Sequence, residues 1–279
     1  MTPSMSNLFL FIFGTAIGSF LNVLIDRLPR EESINGRSHC EYCKKTLSPL
    51  DLIPVLSFIL LKGRCRYCHK RLSVQYPLIE LLTGTIFVWV FVSFVVIPSK
   101  EGIQNVLDSR LRGNDFIISN FIQLGIYLSI VSCLIVIFFI DLKNQIIPDE
   151  MQIALFISIL FLRVMGSIGV VGVMWGMLEG LVAMLPILFL YLITRGRGMG
   201  FGDVKLAFNM GFLLGIKGGF VAIYLGFILG AFFGIVLLLM KKKKMKSKIA
   251  FGPFLVAGMV IVMFFEKPIF SLIQRIYGI

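Results

Sequence analysis

Two groups of residues in this chain have types and spacing suited to chemistry. The first is a set of four cysteines, in "CEYC" (Cys40, Cys43) and "CRYC" (Cys65, Cys68), which together read C-x2-C-x21-C-x2-C. Each pair sets two thiols on one tight turn, and two such turns complete a tetrahedral zinc shell. Four thiolates leave no position open for water, so a metal held here is structural. Two disulfides are the alternative, disfavoured in a reducing compartment. Lys44, Lys45, Arg64 and Arg66 lie beside the cysteines and offset the negative charge of a four-thiolate centre. His39 and His69 flank the pairs as solvated or supporting groups, and Cys133, in an apolar run, reads as a packed thiol.

The second group is acidic. Asp203 follows three alternating glycines, Gly198, Gly200 and Gly202, in "GMGFGDVKL" (198–206), and "IDLKNQIIPDE" carries Asp141 and Asp149. Acids at the membrane edge are costly and point to function. Two carboxylates a few ångströms apart share a proton, and such a pair activates water for attack on a peptide carbonyl and then protonates the leaving amine. Asp141 and Asp203 both end up at the same membrane face if the chain is a helical bundle. The glycines let the backbone pass close to a substrate strand and adopt φ > 0 where needed. The plainer readings are an ordinary helix-end acid for Asp141 and an N-cap for Asp149.

The elements that must position these groups are apolar helices. The chain has 279 residues, 57% hydrophobic and 15% charged, against about 25% charged in soluble domains. Apolar runs mark eight helices, at Leu8–Ile25, Pro77–Ile97, Phe116–Ile140, Ile147–Leu162, Ile168–Ile193, Val204–Ile216, Phe220–Met240 and Phe254–Phe265. The expected fold is therefore an all-α polytopic membrane protein of about eight transmembrane helices. The start lacks a basic segment and a small-residue cleavage site, so it reads as a retained first span.

Eight helices put both termini on one side. Segments 28–72, 141–150, 194–205 and 241–248 then carry 19 of the 27 lysines and arginines, and the opposite side carries 7. By the positive-inside rule the richer side is cytoplasmic. The net charge of +12 reports this orientation, and no nucleic-acid partner is expected. Residues 28–72 form a polar cytoplasmic insert around the four cysteines. Residues 98–115 read as a mobile, dispensable outer loop. "KKKKMKSK" (241–248) reads as a stop at the cytoplasmic face or a site for anionic headgroups.

Five stretches in order resemble one family, the bacterial type IV prepilin peptidases: "GSFLNVLIDRLPR" (18–30), "LIPVLSFILLKGRCRYCHKRLSVQYPLIELLTG" (52–84), "DLKNQIIPD" (141–149), "GMGFGDVKL" (198–206) and "FGPFL" (251–255). The resemblance implies a GxGD-type intramembrane aspartic protease in the bacterial inner membrane, with Asp141 and Asp203 as the catalytic pair. It implies cleavage of the basic leader of prepilins and pseudopilins after a glycine, at the cytoplasmic face. It also implies N-methylation of the new first residue from S-adenosylmethionine. The peptidase region spans 116–279. The methyltransferase role falls to 1–97, where Asn22, Arg27, Gly63 and Glu80 are candidates for the cofactor. Plainer roles for three of these are an interhelical hydrogen bond (Asn22), a snorkelling anchor (Arg27) and a turn (Gly63). Two rival classes stay open: a transporter, whose acids belong near the bilayer midplane, and a zinc-bearing assembly scaffold without chemistry.

Overall fold

Long apolar runs interrupted by polar turns fold as helices because lipid offers the backbone no hydrogen-bond partner. The structure is a computed structural model that describes residues 3–93, 113–165, 169–196, 198–240 and 250–277. Most of 98–115 and all of the lysine run 241–248 lie outside the described residues; residues 113–115 belong to a helix. The described helices are α1 (Pro3–Arg27), α2 (Leu56–Leu60), α3 (Gln75–Phe91), α4 (Gly113–Asn144), α5 (Asp149–Met165), α6 (Gly169–Thr194), α7 (Phe201–Leu239) and α8 (Gly252–Tyr277). Five of them are long and apolar enough to cross a membrane. The chain forms two compact units, Met1–Val136 and Ile137–Ile279.

In the first unit α1 and α3 pack so closely that side chains are excluded from the seam. A Cβ on Gly14 would stand 2.8 Å from Gly84 Cα, and one on Gly18 2.8 Å from Glu80 Cα. One step further, Asn22 Nδ2 donates to Tyr76 O at 3.1 Å. The three pairs advance by four residues in opposite directions, which is an antiparallel register. Small residues at such crossings replace the hydrophobic drive that lipid removes. The segment between these helices carries the cysteines on two short turns and contains α2.

In the second unit the sequence pattern placed separate helices at 204–216 and 220–240. The structure runs them as α7, broken at Gly215 (φ 74, ψ 177). A straight helix of 39 residues would be about 58 Å long, twice the ~30 Å hydrocarbon layer. The break folds it into two limbs, so that a Cβ on Gly219 would lie 3.0 Å from Gly211 Cα. Each limb corresponds to one of the expected passes. The freed carbonyl of Phe212 is taken by Arg163 Nε at 2.9 Å, and Arg163 also pairs with Glu179 at 2.9 Å. Helix α8 extends to Tyr277, past the expected end at Phe265. Non-helical angles at Phe265 mark the bend that Pro268 imposes. The second limb of α7 packs on α8 through Gly226 against Leu255 and Gly258 against the Ala222 carbonyl.

Candidate active site and metal centre

Three chain segments bring the acidic residues of the second unit together. Asp141 lies in the last turn of α4 and is 5% exposed; Asp203 lies in the first turn of α7 and is 7% exposed. The N-terminus of α8 meets Asp141: a Cβ on Gly252 would stand 2.6 Å from Asp141 Oδ2 and 3.2 Å from Ile147 Cδ1. Ile147 also touches the start of α7, where a Cβ on Gly202 would lie 3.0 Å from Ile147 Cβ. Ile147 thus spaces the two helix starts, and Asp203 is within coulombic reach of Asp141.

The two carboxylates are held differently. Asp203 Oδ2 accepts from the Gly200 amide at 3.0 Å while the Asp203 amide donates to Gly200 O at 3.2 Å, one half of a capping box. Asp141 Oδ2 is buried and has no hydrogen-bond partner among the described residues. Buried polar atoms are almost always satisfied, so a solitary one marks a place for water or substrate.

The glycine ladder works by close approach, not by unusual angles. Gly198, Gly200 and Gly202 all avoid positive φ, contrary to the freedom expected of them; the positive-φ glycine nearby is Gly196. Gly202 is the member that a side chain would obstruct. Asp149 is exposed and paired through Oδ1 with Lys205 Nζ at 2.6 Å, tying α5 to α7 beside the site. Beneath it Gln152 Nε2 donates to Gly202 O at 3.0 Å, and Asn209 Nδ2 donates to Gln152 Oε1 at 2.9 Å. Sequence reasoning missed Gln152, Asn209, Ile147 and Gly252. The amides carried a signal as polar residues in apolar helices; Gly252 stood inside the quoted "FGPFL".

In the first unit Cys40, Cys43, Cys65 and Cys68 have their sulfurs within 4.8 Å of one another. Four sulfurs about 2.3 Å from a common tetrahedral centre lie about 3.8 Å apart; Cys40 Sγ and Cys68 Sγ are 3.8 Å apart. The cluster fits a metal ion. The two knuckles repeat one another. Cys40 N donates to Lys45 O and Cys65 N to Lys70 O, and the Lys44 and His69 amides return to the Cys40 and Cys65 carbonyls. Lys45 lies over the Tyr67 ring at 4.4 Å, and Lys70 over Tyr42 at 4.8 Å, so each knuckle's lysine rests on the other's tyrosine. Asp51 fastens the second knuckle through Arg66 Nε at 2.6 Å. Burial works against its charged form, but hydrogen bonds from Ser48 and Arg66 hold its carboxyl below the usual range.

A cavity of about 220 Å³ opens between the cysteine turns and the ends of α1 and α3. Asn22, Arg27 and Glu80 line it and Gly63 does not. Arg27 is committed elsewhere: Nη1 and Nη2 donate to the carbonyls of Ser33, Ile34, Asn35 and Arg37 and fold that loop around the guanidinium. It organises this loop while also lining the cavity. Gly63 makes a left-handed turn (φ 66), with Phe58 filling the space a Cβ would need. Glu80 Oε2 accepts from the Val55 amide at 2.7 Å. Val55 itself holds φ 62, a costly conformation for a β-branched residue.

Comparison with known proteins gives two successive family matches along the chain. Residues 12–94 match the bacterial peptidase A24 N-terminal domain, and residues 128–235 match the type IV leader peptidase family. The prepilin leader peptidase/N-methyltransferase of Bacillus subtilis (strain 168) is 30% identical, over 94% of this chain and 95% of its own length. The protein of the same name from Aeromonas hydrophila is 30% identical over 90% of this chain and 88% of its own. That from Burkholderia pseudomallei (strain 1026b) is 26% identical over 95% and 87%. No solved structure matches the chain. With relatives at this identity along nearly its whole length, the chain belongs to the type IV leader peptidase family.

Proposed function

We propose that this protein cleaves the basic leader of type IV prepilins or pseudopilins after a glycine and then N-methylates the new first residue. The observation that carries the reading is the meeting of Asp141 and Asp203 over Ile147, both buried, one with an oxygen unpartnered among the described residues. One carboxylate takes a proton from water as it attacks the scissile carbonyl; the other, protonated, hydrogen-bonds the carbonyl oxygen and passes its proton to the leaving amine. Asp149 has no part in proton transfer, because it is exposed and engaged with Lys205. Gly198, Gly200 and Gly202 shape the floor beside the substrate.

The reading extends to location and metal. The 19-to-7 distribution of basic residues supports a site at the cytoplasmic face of the inner membrane. The four cysteines hold one structural zinc ion, whose binding free energy folds the insert. The methyl group comes from S-adenosylmethionine bound by the first unit.

Asp141→Asn and Asp203→Asn test the reading. Each is expected to abolish leader cleavage by the membrane-reconstituted enzyme while leaving insertion intact. Wild-type turnover by either variant overturns the assignment and favours a scaffold. Solute flux without cleavage in the wild type favours a transporter.

A further inference from the structure

The cavity of the first unit has a charge unlike the rest of the chain. The protein carries a net charge of +12. Yet the cavity is lined by five acids, Asp26, Glu32, Glu41, Asp51 and Glu80, against three bases, Arg27, Arg30 and Arg66. The bases are committed within the fold. Arg30 pairs with Glu41 at 3.0 Å and Arg66 with Asp51 at 2.6 Å, which leaves Asp26, Glu32 and Glu80 against Arg27, whose guanidinium is held by four carbonyls. Cys40 and Cys65 also face the cavity, so a four-thiolate metal centre adds further negative charge.

Independently of charge, Asn22, one of the residues that line the cavity, carries an unanswered acceptor. Asn22 is 3% exposed, and its Nδ2 donates to Gly18 O and to Tyr76 O. Its Oδ1 is buried without a hydrogen-bond partner among the described residues. Nearby, Asp26 Oδ2 accepts from Tyr76 Oη at 2.9 Å, and Glu80 accepts from Val55, each carboxylate keeping further lone pairs. The cavity therefore offers acceptors and negative charge, and calls for a ligand that brings donors and positive charge.

We infer that this cavity is the methyl-donor site and that it selects the donor by its positive charge, held by Asp26 and Glu80, with Asn22 Oδ1 accepting from a ligand N–H or O–H. The inference rests on the methylation reading above. S-adenosylmethionine is a sulfonium cation, and its demethylated product, S-adenosylhomocysteine, is the same molecule with a neutral sulfur. A site built on carboxylates holds the first more tightly than the second, so loss of charge at sulfur loosens the spent cofactor.

The test is calorimetric titration of the full-length, zinc-loaded protein in lipid nanodiscs with each compound. Asp26→Asn and Glu80→Gln keep an acceptor for Tyr76 and Val55 and remove only charge. Each is expected to weaken S-adenosylmethionine about tenfold and S-adenosylhomocysteine less than about threefold, as charge-assisted contacts dictate. Zinc content and melting temperature report the fold. Equal losses for both compounds, or no loss for either, overturn the inference, as does displacement of S-adenosylmethionine by a lysine-rich leader peptide. Failure of the wild type to methylate or bind the donor at all overturns the methylation reading instead.

Discussion

A methyl group at position 252 should damage catalysis without touching either aspartate. In Gly252→Ala the new Cβ would stand 2.6 Å from Asp141 Oδ2 and 3.2 Å from Ile147 Cδ1. Ordinary contact begins at 3.4 Å, so the carboxylate must recede by about 0.8 Å. A misplacement of about 1 Å in a positioned group costs about 10²-fold in rate, or about 2.7 kcal/mol in the barrier. The comparison variant is Gly200→Ala. There the Cβ meets Asp203 Oδ2 at a comfortable 3.6 Å, and φ is −78 with ψ 154, an extended conformation open to alanine. The assay is single-turnover cleavage of a purified prepilin by each variant in nanodiscs, with melting temperature alongside. Gly252→Ala should lose about two orders of magnitude while Gly200→Ala stays within about threefold of wild type. Wild-type turnover by Gly252→Ala would refute the geometry of the pair. A collapse of Gly200→Ala would mean that the substrate lies against the Gly200 α-carbon itself and leaves no room there for a methyl group.

Replacing Cys40 and Cys43 together by serine should remove one zinc ion per chain, measured by atomic emission, and lower methylation further than cleavage. Arg163→Met should destabilise the fold by about 1–3 kcal/mol, since it strands both Glu179 and the Phe212 carbonyl in a half-buried setting; adding Glu179→Gln should recover part of the loss in a double-mutant cycle of denaturation midpoints. Asp149→Asn breaks an exposed pair and should change stability by less than about 1 kcal/mol and leave cleavage near wild type, read by the same two assays.

What the sequence disclosed and what it withheld follow from the range of the interactions involved. The cysteine pairs were legible because a knuckle is a local turn, and its ligand spacing is written in consecutive residues. The aspartates were legible because helix ends show as the edges of apolar runs. The break at Gly215 was placed a few residues late, since "GFLLGIKGG" offers four glycines and only the tertiary fold, which seats Gly215 against Glu179 and returns Gly219 onto Gly211 and Ala183, shows which one turns. The loop-holding role of Arg27 was hidden because its partners are carbonyls of a loop that folds back on it, which no spacing rule records. The roles of Gln152 and Asn209 were hidden for the same reason: each is a polar residue in an oily helix, and only the tertiary fold makes them partners.

The exchange of lysines between the two cysteine knuckles has a consequence for how the insert assembles. Lys45 rests on Tyr67 and Lys70 on Tyr42, so neither turn contains its own aromatic platform. Each contributes two of the four thiols and half of each stacked pair. A knuckle closed alone would gain neither a full coordination shell nor its cation–π contact. The insert is thus an internal dimer fused through 44–64: its halves depend on each other as subunits do, and a fault in one dissolves both. Metal titration of the apo protein should accordingly pass from open to closed in one step, with no half-formed species between.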